Sequence, residues 1–223
     1  MYRLNRTNRN VLIIPDEVIF HAAITSDVGE RQILNNIIIA EERFIVEELG
    51  YDFYQNINDK KNVKVTDLNK ADLLTKLRAD YAKQNINFQD EDLQEGMIVN
   101  AIEFIEDEWI VKLWNQYLWK LTAECVDFVT TVPSWLQTTA KGQQTNNPRS
   151  ISSTDMASGS RNDVVFKMQD AMQERMGPLA VNMHEWLCRH QSYFPFYTKY
   201  CGGCRENQPY RSGNTGFAFG HYD

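Results

Sequence analysis

Residues Asn35–Gly50 read NNIIIAEERFIVEELG, and the fold turns on what this stretch is. The closing glycine is the residue type that usually follows a helix C-terminus, and the acidic and apolar residues before it suit a helix. Yet Ile37, Ile38 and Ile39 stand side by side. Successive helical residues step about 100° around the axis, so three in a row cover roughly half a turn. A simple surface helix buries one narrower stripe. The stretch therefore predicts a helix covered on two flanks.

Upstream, Ser26 or Asp27 is placed to cap this helix, and Glu30 falls at capping-box spacing from Asp27. IIPDEVIFHAA (13–23) predicts a shorter helix, with Pro15 in the first turn and Asp16 and Glu17 favouring its dipole. Met1–Leu12 has no period and reads as an arm. Downstream, YDFYQNINDKKNVKV (51–65) reads as a polar turn region with a short strand near Asn62–Val65. The next helix starts at Thr66 or Asp67 and repeats Leu73, Leu77 and Tyr81. A long helical period then runs from Leu93 to Thr131, as one strut or as two helices broken near Glu106–Glu108, with Pro133 as terminator. Its aromatic residues Trp114 and Trp119 fall on different flanks, again more apolar surface than one neighbour covers. Residues 136–162 are Ser, Thr, Asn, Gln and Gly with little to bury, which reads as a flexible loop. Helical period returns through Val165, Met168, Met172 and Met176, a stripe expected to pack in the core. Gly177–Pro178 should break or kink it, and a last piece spans Leu179–Cys188. The aromatic, glycine-rich tail has no period and is expected to lie against something.

The reading is thus all-α: a helical bundle with a long central helix, a long polar loop and an irregular aromatic C-terminal tail. It divides into a helical core (1–135), a flexible insertion (136–162) and a C-terminal helix with a cysteine-bearing tail (163–223). The 223 residues are 43% hydrophobic and 24% charged, an ordinary globular mix. A net charge of −7 argues against general nucleic-acid binding, which needs a basic surface. Arg3, Arg6 and Arg9 read as a solvated arm. No apolar run reaches the ~18 residues of a membrane span, and the N-terminal run stops at Pro15, too short for a signal peptide. The chain reads as soluble and made in the cytoplasm.

For chemistry, the strongest local motif is Cys201-Gly-Gly-Cys204. With Cys188 and His190 upstream it could close a structural zinc site, metal ligands Cys188, His190, Cys201 and Cys204. The alternative is free thiols packed in an aromatic tail. His21 and His184 read as packing histidines, and His221 lies in the tail. The acidic run Glu103, Glu106, Asp107, Glu108 reads as a solvated face, since adjacent acids on a helix point apart. No catalytic residue, nucleotide loop or cofactor fingerprint is found, so no enzyme and no cofactor beyond that zinc is expected.

The positions Ile14, Glu17, Val18, Asp27, Ile37, Ala40, Glu41, Ile45, Leu49 and Gly50 resemble the start of the head–tail connector (adaptor) proteins of tailed bacteriophages. The likeness covers about the first 57 residues well and the helices to Val132 loosely. It implies a structural virion subunit that forms a ring of about twelve copies. The ring would dock beneath the portal protein, contact neighbouring tail or connector rings, and let DNA pass without specific binding. On this view Ile37, Ile38, Ile39, Trp114 and Trp119 face neighbouring subunits. The alternative is a zinc-stabilised protein-binding module.

Overall fold

A computed structural model describes residues 1–5, 9–22, 30–139, 142–145, 161–199 and 201. The chain is mostly helical, with a few short strands.

The opening stretch is helical throughout. Helix α2 (Glu30–Ala40) passes through a π-helical turn (Glu41–Ile45) into α3 (Val46–Leu49). The Val46 amide bonds to the Glu41 carbonyl, five residues back. Gly50 ends the helix at φ +81°, a conformation that side-chain-bearing residues rarely adopt. Helix α1 (Pro15–His21) precedes it, opened by Pro15 and by Glu17, whose carboxylate accepts from the Ile14 amide at 3.2 Å. The capping residues Ser26 and Asp27 lie outside the described residues.

One flank of α2 packs on α7 (Trp119–Trp135). Ile33 and Ile37 are buried there, Asn36 donates to the Thr130 hydroxyl at 2.8 Å, and Phe44 meets Phe128 edge-on at 5.7 Å. The other flank is covered by the chain's own N-terminal segment. Val11–Ile14 is buried, so Val11 and Leu12, read as the end of an arm, belong to the core, as do Ile13 and Ile14 ahead of the helix. This segment has no strand partner, and buried backbone groups must still be paired. Side chains pair them. Glu41 accepts from the Leu12 and Ile13 amides at 2.8 and 3.2 Å. Asn62 and Asn100 both donate to the Val11 carbonyl, at 2.9 and 2.7 Å. Lys61 donates to the Leu12 carbonyl.

These partners come from α4 (Tyr51–Lys61) and the strands around it. Residues 51–61 were expected as a turn because their polar residues dominate. They form a helix because Phe53, Tyr54 and Ile57 recur at helical spacing, and because Asn58 and Lys61 are buried in this network. The short strand expected near Asn62 is present as β2 (Asn62–Lys64). With β1 (Arg3–Asn5) and β3 (Ile98–Asn100) it makes an antiparallel sheet in the order β1-β3-β2. Arg3 and Asn62 both lie opposite Asn100. A smaller core of Val65, Leu73, Leu77, Phe88, Leu93 and Val99 joins this sheet to α5 (Lys70–Ala82).

The helix expected from Leu93 begins only at Glu108. Residues 98–100 are sheet, and Asp107 caps α6 (Glu108–Leu113) by accepting from the Trp109 amide at 2.9 Å. A second π turn (Trp114–Leu118) leads into α7, which runs past Pro133 to Trp135. Within 136–162, β4 (Leu136–Thr139) pairs antiparallel with β5 (Gly142–Thr145), and residues 146–160 lie outside the described residues. Helix α8 (Arg161–Asp170) then continues through a third π turn (Ala171–Met176) into α9 (Gly177–Arg189). Gly177–Pro178 does not break the path. Proline cannot share a regular turn with the carbonyl four residues back, and the widened turn ends just before it. Met176 and Met183 are fully buried, and Met168 and Met172 pack beside them. The C-terminal helices share the main core with residues 11–128, so a boundary at 135 or 163 separates no independent core.

Glu41 is 1% exposed, and burial raises its pKa to about 7 despite the bonds from Tyr54, Ile13 and Leu12. Glu41→Ala leaves two buried amides without an acceptor and should cost about 3 kcal/mol in urea unfolding. The raised pKa means that the folded chain holds a proton which the unfolded chain releases near the ordinary carboxylate value. This contribution to stability is complete below about pH 4.5 and is lost as pH rises through about 7. Glu41→Gln should therefore gain on the parent between pH 5 and 7.5, a trend read by unfolding both chains across that range; a constant gap would refute it.

Candidate functional site

Among the described residues large apolar side chains are exposed singly at Met1, Tyr51, Leu68 and Ile86, and beside other aromatic or apolar residues at two places. On α1, Phe20 is 84% exposed; on α8, Phe166 is 69% exposed, with Val165 beside it. Both helices pack on α7. Trp119, half-buried, meets Phe20 at 6.3 Å and His21 edge-on at 5.0 Å, and its indole N–H donates to the Asn115 carbonyl at 3.1 Å. The second place is the turn after α9, where Tyr193 stacks on Trp109 at 4.0 Å and Phe196 is exposed.

A buried charge network holds the first surface in position. Asp127 on α7 is 1% exposed and accepts from Lys167 at 3.2 Å and from both Arg175 Nη atoms at 3.2 Å. Arg175 also pairs with Glu124 at 2.8 Å, and Glu124 pairs with His21 Nε2 at 3.0 Å. His21 and Lys167 are thus tied to α7, while the adjacent Phe20 and Phe166 point outward. Neighbours on a helix stand about 100° apart, which is how one residue anchors and the next is displayed. Burial lowers the His21 pKa, with Lys120 and Arg175 adding to the effect.

The expected interface residues divide. Ile37 and Trp114 are buried within the subunit's own core, so neither can meet a neighbour. Their breadth of apolar surface is taken up by α7 and by the N-terminal segment. Ile38 and Trp119 are half-buried and packed on that core, and Ile39 is half-buried. The large aromatic rings left most exposed are Phe20 and Phe166, neither of them among the expected interface residues. The signal was present as paired apolar neighbours, Ile19-Phe20 and Val165-Phe166, of which a helix can bury only one per stripe.

The expected zinc set is also redistributed. Cys188 and Cys201 are joined as a disulfide with Cα atoms 5.3 Å apart, so in this form neither is a thiolate ligand. His190 is turned away. Its Nδ1–H donates to the Trp186 carbonyl at 2.8 Å, and its ring lies 4.9 Å from Trp109 and 4.7 Å from Trp186. Cys204 lies outside the described residues. His184, read as a packing residue, is the histidine beside the sulfurs, with Nε2 3.6 Å from Cys188 Sγ and Nδ1 2.6 Å from the Tyr197 hydroxyl. Burial lowers the His184 pKa and raises that of Tyr197. In this form no cluster of three metal-ligating residues is set among the described residues. The acidic run is used locally: Glu103 pairs with the N-terminus, Asp107 caps α6, and Glu108 pairs with Lys112 at 3.7 Å.

No helix among the described residues is long and apolar enough to cross a membrane. No known protein family, curated protein or solved structure matches the chain.

Asp127→Ala removes the buried carboxylate that Lys167 and Arg175 share and should cost about 1.5–3 kcal/mol, the loss of hydrogen bonds to a charged group. Urea unfolding reads this directly; a loss below about 1 kcal/mol would mean that the network does not hold α8 to α7.

Proposed function

We propose that this chain is a structural subunit of a head–tail connector ring of a tailed bacteriophage. The ring docks beneath the portal, extends the DNA channel and joins the tail. Each subunit is a helical bundle built around the helix from Glu108 to Trp135, and it works by shape and contact without catalysis.

The observation that carries this reading is the exposure of the Phe20 and Phe166 rings, each next to a residue that pairs with a buried carboxylate of α7. Large apolar side chains fixed at a surface favour an interface. Ring contacts are heterologous and use two different patches on each subunit. The separate surface at Tyr193 and Phe196 offers the second. The likeness of residues 14–50 to connector proteins supports the same reading. A net charge of −7 suits a channel along which DNA slides without sticking.

Sedimentation velocity of the purified chain, alone and mixed with portal protein, tests the proposal. The expected result is self-association or capture by the portal. Phe20→Glu with Phe166→Glu should abolish the larger species while leaving the circular dichroism of the monomer unchanged. A strict monomer indifferent to portal would sink the reading.

A further inference from the structure

We propose that the Cys188–Cys201 disulfide is a reversible redox latch on the loop that follows α9. A small thiol opens it and the corresponding disulfide closes it while the loop stays seated, and the bond sets how often the loop lifts. The inference does not depend on ring assembly.

The contacts around the bond carry it. The disulfide joins α9 to a residue 13 positions further on. The loop it closes is also held by side chains of α6, α4 and α3. Tyr193 stacks on Trp109 at 4.0 Å, Phe194 and Tyr197 pack on Phe53 at 5.6 and 6.0 Å, and Lys199 pairs with Glu48 at 2.9 Å. Phe194 and Tyr197 are buried. The loop is tied to α9 itself without the sulfurs, since the Tyr197 hydroxyl lies 2.6 Å from Nδ1 of His184, one turn before Cys188. Breaking the S–S bond leaves these anchors in place and keeps the two thiols beside each other. A bond whose partners stay together when it breaks can reform without refolding, and this separates a latch from a disulfide that the fold requires. Exchange with a small thiol needs access, and both cysteines are half-buried rather than sealed in the core. Cys125 is the contrast: it is fully buried, and burial pushes its thiol pKa up, so it stays out of the exchange.

The latch acts on the opened loop. A crosslink removes conformational freedom from the open form, and for a loop of this length the open population falls on the order of a hundredfold. The exposed rings of Tyr193 and Phe196 stand on the latched segment.

The exchange balances with a small thiol and its disulfide. To open the latch, a small thiolate attacks one cysteine sulfur and expels the other as a thiolate, which takes a proton from water. A second small thiolate attacks the small-molecule sulfur of the mixed disulfide and expels the remaining cysteine. The two cysteine sulfurs gain two electrons, and the two small thiols lose two as they leave joined. Closing is the reverse.

Trypsin digestion of the full chain in reduced and in oxidised glutathione is the test. Arg189 and Lys199 lie between the two cysteines, and cleavage there tracks the open population. Fragments are separated under reducing conditions after quenching. Cleavage at these sites should be on the order of a hundredfold faster in the reduced chain, while tryptophan emission of the undigested chain stays the same. Returning the chain to oxidised glutathione should restore the slow rate without a refolding step. Cys188→Ser should be cut at the fast rate in both buffers. Equal rates for the parent in the two buffers would overturn the proposal. So would a shift of tryptophan emission to that of the unfolded chain on reduction, or peptide mapping that finds Cys201 joined to Cys204 in the oxidised chain. The buffer comparison needs no variant, so it does not depend on whether a substituted chain folds.

Discussion

The fold depends on an irregular segment, Asn10–Ile14, that bends at Leu12 and Ile13 and is buried from Val11 on without a strand beside it. Its backbone groups are buried, and an unpaired buried amide or carbonyl costs on the order of 1–3 kcal/mol. Glu41, Asn58, Lys61, Asn62 and Asn100 supply the partners. These residues come from the first π turn, α4, β2 and β3, so one polar network fixes the relative positions of all four. It also joins the two cores. Glu41 sits among residues of the larger cluster, while Asn62 and Asn100 sit on strands that cover the smaller one. The N-terminal segment is therefore the piece against which the helices and the sheet are aligned.

The π turns belong to the same constraint. A π turn is rare and adds one residue to a helical turn, re-aiming the side chains around it. The first begins at Glu41, which reaches the Leu12 and Ile13 amides. The second begins at Trp114, whose ring lies 3.6 Å from Lys61 Nζ. A buried ammonium is costly unless it is compensated. Here the carbonyl of Leu12, the Trp114 face and the Glu17 carboxylate at 3.5 Å share it; burial still lowers the Lys61 pKa. The third turn carries Arg175 to Asp127 and ends before Pro178. Each irregularity thus carries a side chain that makes a buried polar or cationic contact.

What the sequence made legible follows from where the information is local. Helix α1, the helix closing at Gly50, β2 and the Met176–Met183 packing rest on caps, glycine geometry and period, all written in neighbouring residues. The buried arm was not legible, because Val11–Ile14 has too few residues to show a period and its partners lie up to 89 residues away. Helix α4 was missed for a related reason. Asn58, Lys61 and Asn62 look like turn residues until the carbonyls they serve are known. Ile98–Asn100 continues a helical period by accident, and only the strands on either side decide that it is extended. At the candidate site, His190 was the nearer histidine in sequence, yet helical spacing puts His184 on the sulfur face and leaves His190 to stack on Trp109.

The breadth of apolar surface in NNIIIAEERFIVEELG has two possible covers, a second subunit or the chain itself. Ile37 and Trp114 answer for the chain, since both are buried in its own main core. Any contact with a neighbour must then use residues that folding leaves over, and Phe20 and Phe166 among these are set beside anchored ones. His21 and Lys167 face the charges of α7, and Phe20 and Phe166, one position away, cannot also face inward. The buried charges therefore have two consequences. They hold α1 and α8 to α7, and by taking the inward positions they oblige the phenylalanines to stay outside. Replacing the network with apolar residues could keep the fold yet would free the helices to rotate and bury those rings. The two rings are kept exposed here by polar contacts one residue away.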